Sequence, residues 1–178
     1  EGLAFDTIVA SGERGALPHA APSDKVILRG ELITLDFGAV WQGYHSDMTR
    51  TVALGEADAR QREIYDVVLQ AQDAGLAAIA VGKTGREVDA EARRVIGAAG
   101  YGEFFGHGLG HGVGLEVHED YPRLSVRGEV TLQPNMVCSV EPGIYLPGWG
   151  GIRIEELVVV TTAGAELLTT SPRQLLVL

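Results

Sequence analysis

The segment GHGLGHGVGLEVHED, residues 106–120, strongly limits what this chain can form. Glycine occupies every second position from Gly106 to Gly114, and each glycine costs a helix about 1 kcal/mol relative to alanine, which argues against a helix. An extended backbone is predicted instead, with a glycine face that another chain segment can approach closely. The opposite face is predicted to carry His107, Leu109, His111, Val113 and Leu115. The histidines would then find partners elsewhere in the chain.

Composition indicates a single acidic domain. With 178 residues, 46% of them hydrophobic, the chain is long enough for one full core and too short for two domains. The net charge of −10 and the lack of clustered Lys and Arg argue against a nucleic-acid partner, and no apolar run has transmembrane length. Cys138 is the only cysteine, and its apolar neighbours predict a core residue of a reducing, cytoplasmic protein.

Strand-like runs lie at both ends of the chain, and helices fill the middle. The strand runs are FDTIVAS, ELITLDFGAVW and SDMTRTVAL, followed later by MVCSVEPGIYL, GIRIEELVVV and AELLTT. A capping box of Asp58 and Gln61 starts the first helix, which is predicted to reach about Val81, and Thr84 and Glu87 start the second. The buried helix faces are predicted to carry Ile64, Val67, Val68 and Ala71, then Val88, Ala92, Val95 and Ile96.

A faint internal repeat relates ITLDFGAVWQGYHSDMTRTVAL to CSVEPGIYLPGWGGIRIEELVVV. Each segment has an apolar strand, an acid with a glycine two residues later, a turn, and a return strand with a second acid. A turn at residues 42–43 would place Asp36 opposite Thr49 and Asp47 opposite Gly38, with both acids on one face. Two such hairpins predict pseudo-twofold halves. Together they would present the carboxylates Asp36, Asp47, Glu141 and Glu155.

Four carboxylates in apolar strands predict a metal centre. Like charges in a dry pocket raise one another's pKa, and desolvation adds to the cost, so the carboxylates need cations nearby. Four carboxylates with one imidazole from the glycine-rich segment offer too many anionic oxygens for one tetrahedral zinc ion. They suit two adjacent divalent ions, such as manganese or cobalt.

Five motifs carry a resemblance to a known family. The motifs LPHAAPSDK, LDFGAVWQGYHSDMTRT, GHGLGHGVGLEVHE, VEPGIY and GGIRIEE are similar to those of the Xaa-Pro dipeptidases (prolidases) and aminopeptidase P. The match runs from about Phe5 to about Thr170, nearly the whole chain. The resemblance implies an α+β pita-bread fold, with pseudo-twofold halves and a curved antiparallel sheet flanked by helices.

The resemblance also implies the cofactor and its ligands. Two divalent ions are expected, with manganese preferred over cobalt or zinc, and Asp47 and Glu155 are expected to bridge them. The five implied ligands are Asp36, Asp47, His111, Glu141 and Glu155.

Three further histidines and Glu141 are expected to act on the substrate. By resemblance, Glu141 would relay a proton to the leaving proline nitrogen and His118 would donate to the developing oxyanion. His19 and His107 would line the pocket beside the proline.

Three arginines complete the candidate site. Arg153 lies two residues before Glu155, so in a strand both share a face and Arg153 is predicted to hold a ligand carboxylate. Arg123 and Arg127 follow the HEDYP sequence and are candidates to clasp a free substrate carboxylate, although solvated loop positions are an equally good interpretation.

The predicted activity is hydrolysis of an Xaa-Pro bond in a small peptide with proline at the second position, most of all a dipeptide. Removal of the first residue from longer Xaa-Pro peptides, as by aminopeptidase P, is the alternative. A third hypothesis is a non-enzymatic binding protein of the same fold, but the intact ligand set argues against it.

Residues 1–178 are expected to be a catalytic domain without the family's amino-terminal domain and opening helices. Their absence is expected to leave an apolar face exposed, and the full-length protein is expected to dimerise.

Overall fold

Thirteen strands, two helices and two short 3₁₀ turns make up residues 1–178, all of which the computed structural model describes. The first half contains β1 (Gly2–Leu3), β2 (Ile8–Ser11), β3 (Leu32–Phe37), β4 (Ala39–Trp41), β5 (Tyr44–His45) and β6 (Met48–Ala53). Helices α1 (Ala59–Ala78) and α2 (Gly85–Ala98) follow. The second half contains β7 (Gly110–Gly112), β8 (Glu119–Leu124), β9 (Val137–Val140), β10 (Gly143–Leu146), β11 (Gly150–Arg153), β12 (Glu156–Thr161) and β13 (Gly164–Leu167).

Both helices begin at the predicted capping boxes. The side chains of Asp58 and Thr84 accept from the backbone amides of Gln61 and Glu87, which return the contact through their own side chains. The first helix ends at Ala78 rather than near Val81. Its cap, Ile79, adopts an extended backbone that directs the chain away from the helix axis, and the Ile79 side chain is buried in the core.

The first hairpin has the predicted register. Strands β3 and β6 pair with Asp36 opposite Thr49, and β4 and β5 continue the same register to the pair Trp41 and Tyr44. The turn residues Gln42 and Gly43 have φ values of 51° and 81°, as in the two-residue turns that match the twist of a hairpin. The turn predicted at residues 42–43 is therefore confirmed.

The second hairpin repeats this arrangement. Strands β9 and β12 pair with Val140 opposite Glu156, and β10 and β11 pair with Gly143 opposite Arg153. Strand β9 also pairs with β7 in an antiparallel sheet with the order β13-β12-β9-β7-β8. Helix α1 contacts β9, β10, β11 and β13, so the helices cover the second hairpin.

The glycine-rich segment is extended only over Gly110–Gly112. The single shared face predicted for it is wrong, because Leu109 is fully buried in the core whereas Leu115 is 60% exposed. A register shift after His111 interrupts the period of two. Close approach of another segment is confirmed, since a Cβ at Gly110 would lie 2.0 Å from the backbone oxygen of Ser139.

Gly110→Ala is expected to lower the free energy of unfolding by about 2 kcal/mol or more, as overpacking does in dense cores. The clashing atom is a backbone oxygen of β9, so relief requires the strand itself to move. Gly106→Ala is the matched control, because no atom lies within 4 Å of its Cβ position, and its effect should stay within about 0.5 kcal/mol. Urea denaturation of both variants measures the difference; equal stabilities would contradict the proposed contact.

The hydrophobic core lies between the helices and the sheets. Ile64 and Val68 of α1 and Ile96 of α2 pack there with Val140 and other strand residues. Cys138 is fully buried among them, and burial raises the pKa of its thiol to about 12, which confirms it as a core residue. No helix combines the length and apolar composition that crossing a bilayer requires.

Large apolar side chains are exposed on the first hairpin and on β1. They are Phe37, Trp41 and Tyr44 of the hairpin and Leu3 of β1. Leu3 and Phe37 also line a groove with Leu157 and Leu168 of the second half.

Candidate metal centre

The two hairpins and strand β7 bring all five predicted ligands to one cavity. It lies between the halves, and histidines from the loops around it join the lining. The five predicted ligands in the lining are Asp36, Asp47, His111, Glu141 and Glu155. The two halves of the repeat therefore contribute equally to the carboxylates of one site.

Three of these residues form a compact cluster. Ligand atoms of Asp47, His111 and Glu155 all lie within 4.8 Å of one another. The Nε2 atom of His111 lies 3.2 Å from Oε1 of Glu141 and 3.7 Å from Oδ2 of Asp47. These distances allow one cation to contact carboxylates from both hairpins.

Unpaired oxygens show that the site fits cations. Oδ1 of Asp36 and Oε1 of Glu155 are buried without a hydrogen-bond partner. A buried carboxylate oxygen without a partner costs free energy, and a coordinated cation removes that cost. Oxygen donors with one imidazole are the ligands of hard or borderline divalent ions.

Burial and mutual repulsion shift the pKa values of the acids in the cluster. Burial, then the charges of Asp36 and Glu141, raise the pKa of Asp47 to about 7. Burial, then the charges of Glu141, Asp47 and Asp36, raise the pKa of Glu155 well above its usual range. Burial acts to lower the pKa of His111, but its hydrogen bond and attraction to Glu141 outweigh this and raise it. Without cations, the cluster retains protons that carboxylates ordinarily lose.

In the metal-free protein, stability is expected to fall as pH rises from about 4 to about 7. Folded Asp47 holds its proton up to a pKa of about 7, whereas an unfolded aspartate loses it near 3.9, so the folded state binds more protons in this window. The free energy of unfolding should decrease by up to about 1.4 kcal/mol per pH unit from this group. Thermal unfolding of the chelated protein and of Asp47→Asn measures the contribution, and parallel pH dependences would contradict it.

Arg153 makes the carboxylate contact that its position predicted. Its Nη2 donates to Oδ2 of Asp36 at 2.6 Å, and its Nε donates to Oγ1 of Thr49 at 3.0 Å. Thr49 in turn donates to Oε2 of Glu155 at 2.7 Å. One buried arginine thus links carboxylates from the two hairpins.

His107 is held on both ring nitrogens. Nδ1 donates to the backbone oxygen of Gly108 at 2.7 Å, so Nε2 is the acceptor for the hydroxyl of Tyr145 at 2.8 Å. Arg153 donates to the same hydroxyl. Burial is the main cause that lowers the pKa of His107, which keeps the ring neutral. His107 therefore presents its ring, rather than a free nitrogen, to the cavity.

The other predicted substrate residues are more exposed. The ring of His118 lies 4.2 Å from that of His111, and burial followed by the His111 charge lowers the pKa of His118. His19 and Arg123 line the cavity, and Arg123 is 63% exposed beside Asp120. Arg127 is exposed and does not line the cavity, so the structure does not bring it to the site.

Sequence reasoning missed the hydroxyls that support the ligands. Ser139 donates to Oε1 of Glu141 at 3.0 Å and accepts from the backbone amide of His111. Thr49 supports Glu155 in the same way. Ser139 precedes Glu141 by two residues and Thr49 follows Asp47 by two, so the strand period that placed Arg153 was also available for them.

The sequence matches the metallopeptidase family M24 over residues 1–162. The chain belongs to metallopeptidase family M24. The Xaa-Pro dipeptidase of Pyrococcus furiosus is 51% identical to this M24 chain over 173 residues, which cover 97% of this chain and 49% of that protein. The Xaa-Pro dipeptidase of Lactobacillus delbrueckii is 46% identical over 98% of this chain and 47% of its own length. The M24 chain spans about half the length of the curated relatives it matches.

Solved structures confirm the fold. The X-Pro aminopeptidase from Thermotoga maritima superposes with a TM-score of 0.97 at 53% identity, covering 100% of the M24 chain and 50% of that structure. Escherichia coli aminopeptidase P superposes with a TM-score of 0.83 at 32% identity, covering 95% of the M24 chain and 44% of that structure. The predicted α+β pita-bread fold is therefore confirmed.

Proposed function

We propose that residues 1–178 form the catalytic domain of a metal-dependent hydrolase of Xaa-Pro bonds, most of all in dipeptides. The observation that carries the proposal is the convergence of four carboxylates and His111 on one cavity, with buried carboxylate oxygens that have no partner. Relatives named Xaa-Pro dipeptidase, at 51% and 46% identity, support the substrate class.

Two divalent ions, manganese before cobalt or zinc, would be held by Asp36, Asp47, His111, Glu141 and Glu155. When bound, such ions lower the pKa of a shared water and polarise the scissile carbonyl. Glu141 accepts a hydrogen bond from Ser139 and lies beside His111, and we propose that it passes a proton to the leaving proline nitrogen.

The histidines around the cavity are proposed to have two roles, stabilising the oxyanion and binding the substrate. His118, which lines the cavity beside His111, would donate to the oxyanion that develops on the scissile carbonyl. His107, fixed by Tyr145, and the exposed His19 form walls for the proline side of the substrate. An Xaa-Pro amide has no N–H, so recognition rests on walls and on charges at the peptide ends.

A comparison of a dipeptide with a tripeptide tests the proposal. Protein stripped of metal and refilled with manganese is assayed on an Xaa-Pro dipeptide and on a tripeptide extended beyond proline. Manganese-dependent cleavage of the dipeptide alone supports the proposal. Preference for the tripeptide would favour aminopeptidase P activity, the second candidate, to which the similarity with the Thermotoga maritima aminopeptidase points. No cleavage of either by metal-loaded protein would indicate a binding protein.

Arg123→Ala is expected to raise KM for the dipeptide about tenfold or more, because a charge-assisted hydrogen bond to the proline carboxylate contributes about 1.5–3 kcal/mol. The tripeptide places its free carboxylate elsewhere, so its KM should stay unchanged. Arg127→Ala is the matched control, since Arg127 does not line the cavity. Equal KM values for Arg123→Ala and the unaltered protein on the dipeptide would contradict this role.

A homodimer of the full-length protein and a cytoplasmic location belong to the same proposal. Both come from the sequence, the first by family resemblance and the second from the single, buried Cys138. Sedimentation of the full-length protein tests the first.

A further inference from the structure

The second hairpin is interrupted where its two glutamates emerge. Pairing between β9 and β12 stops at the pair Val140 and Glu156, and pairing between β10 and β11 resumes at the pair Gly143 and Arg153 in the same register. The two glutamates proposed as ligands lie in this interruption, one on each chain segment. Hydrogen bonds between paired strands therefore do not fix the separation of Glu141 and Glu155, which would determine how the two glutamates hold a metal ion.

One buried side chain bridges the interruption. Gln72 lies on α1 with no exposed surface. Its Nε2 donates to the backbone oxygen of Val140 at 3.1 Å and to that of Ile154 at 2.8 Å. These residues immediately precede Glu141 and Glu155. A side-chain amide has two N–H bonds, so one group can serve both carbonyls and tie both segments to the helix.

The bridge leaves the carboxylates of both glutamates free. Glu155 is buried and Glu141 is half-buried, and both line the cavity. Donation to the carbonyl before each glutamate holds both segments at the helix without occupying a carboxylate oxygen, so the carboxylates stay available to a cation.

We propose that Gln72 is a positioning residue that sets the spacing of Glu141 and Glu155 and thereby the affinity of the site for divalent metal. The inference rests on the proposed metal centre. Gln72 does not line the cavity, so it reaches the site through the backbone before each glutamate, while its Oε1 accepts from Nη1 of Arg173 at 3.4 Å.

Gln72→Met tests the proposal, because methionine has a similar length and lacks both donors. Gln70→Met on the exposed face of the same helix is the matched control. Titration calorimetry of metal-free protein with Mn²⁺ measures affinity directly, below the unfolding temperature of each variant. Gln72→Met is expected to bind Mn²⁺ about tenfold to a hundredfold more weakly, as is typical when a group supporting a ligand is lost. Gln70→Met is expected to match the unaltered protein.

Gln72→Ala is the second variant, since it leaves room for water to satisfy the carbonyls while removing the link to α1. It is also expected to bind Mn²⁺ more weakly. Unchanged affinity in either variant, with cooperative unfolding retained, would overturn the proposal. Loss of cooperative unfolding in both would also overturn it, because Gln72 would then be a requirement of the fold. An absence of Mn²⁺ binding by the unaltered protein would instead overturn the proposed function, and this inference with it.

Discussion

Asp47→Asn is expected to lower kcat/KM for an Xaa-Pro dipeptide by roughly a thousandfold or more. Asp47 lies with His111 and Glu155 in a cluster whose ligand atoms are all within 4.8 Å of one another. Loss of its charge would weaken the binding of divalent ions at the site. Bound metal ions supply several kcal/mol of transition-state stabilisation, and about 1.4 kcal/mol corresponds to a tenfold change in rate. Steady-state kinetics of the manganese-loaded variant, with its bound metal measured in parallel, give the result.

Asp66→Asn is the matched control for this substitution. Asp66 is exposed on α1 and does not line the cavity, so its replacement should leave kcat/KM and metal content unchanged. Activity of Asp47→Asn within about tenfold of the unaltered protein would exclude a ligand role, because tenfold corresponds to only about 1.4 kcal/mol.

Arg153→Met is expected to lower the free energy of unfolding by about 3–5 kcal/mol in the metal-free protein. Arg153 is buried and donates to Asp36, Thr49, Tyr145 and the backbone oxygen of Pro18. Its loss leaves Asp36 buried without a hydrogen-bonding cation, and removing one partner of a buried pair costs more than the pair contributes. Urea denaturation measures the change.

A double-mutant cycle separates the pair from the other contacts of Arg153. Adding Asp36→Asn to Arg153→Met removes the stranded charge, so the double variant should be more stable than the sum of the two single losses by about 1 kcal/mol or more. Arg94→Met is the control, because Arg94 forms an exposed pair with Glu91 that contributes about 0–1 kcal/mol. Strict additivity in the cycle would contradict a coupled ion pair.

Both helix starts and the first hairpin register could be predicted because their determinants are local. Each capping box spans four residues, and the turn at Gln42 and Gly43 fixes which residues of β3 and β6 face each other. The conformation of the glycine-rich segment could be predicted only in part. Its close contact with β9 follows from glycine, but the register shift after His111 depends on the pairing with β8.

The sequence indicates that Gln72 is buried, but it does not identify the groups to which Gln72 donates. It follows Ile64 and Val68 at intervals of four, so it lies on the buried face of α1, where a polar side chain needs partners. Periodicity alone cannot say which carbonyls it meets. For Arg127 the sequence predicted a possible contact with the substrate carboxylate, but the side chain does not line the cavity.

The sequence by itself determined the helix starts and the two acid-bearing hairpins, because these depend on short-range periodicity and turn chemistry, whereas His111 was named as a candidate ligand by family resemblance. Only the tertiary structure decided how the centre is supported. Thr49 reaches Glu155 across 106 residues of sequence, and Gln72 reaches Ile154 across 82. Such contacts exist only after the two hairpins and α1 have packed together, so they depend on the whole fold rather than on any local pattern.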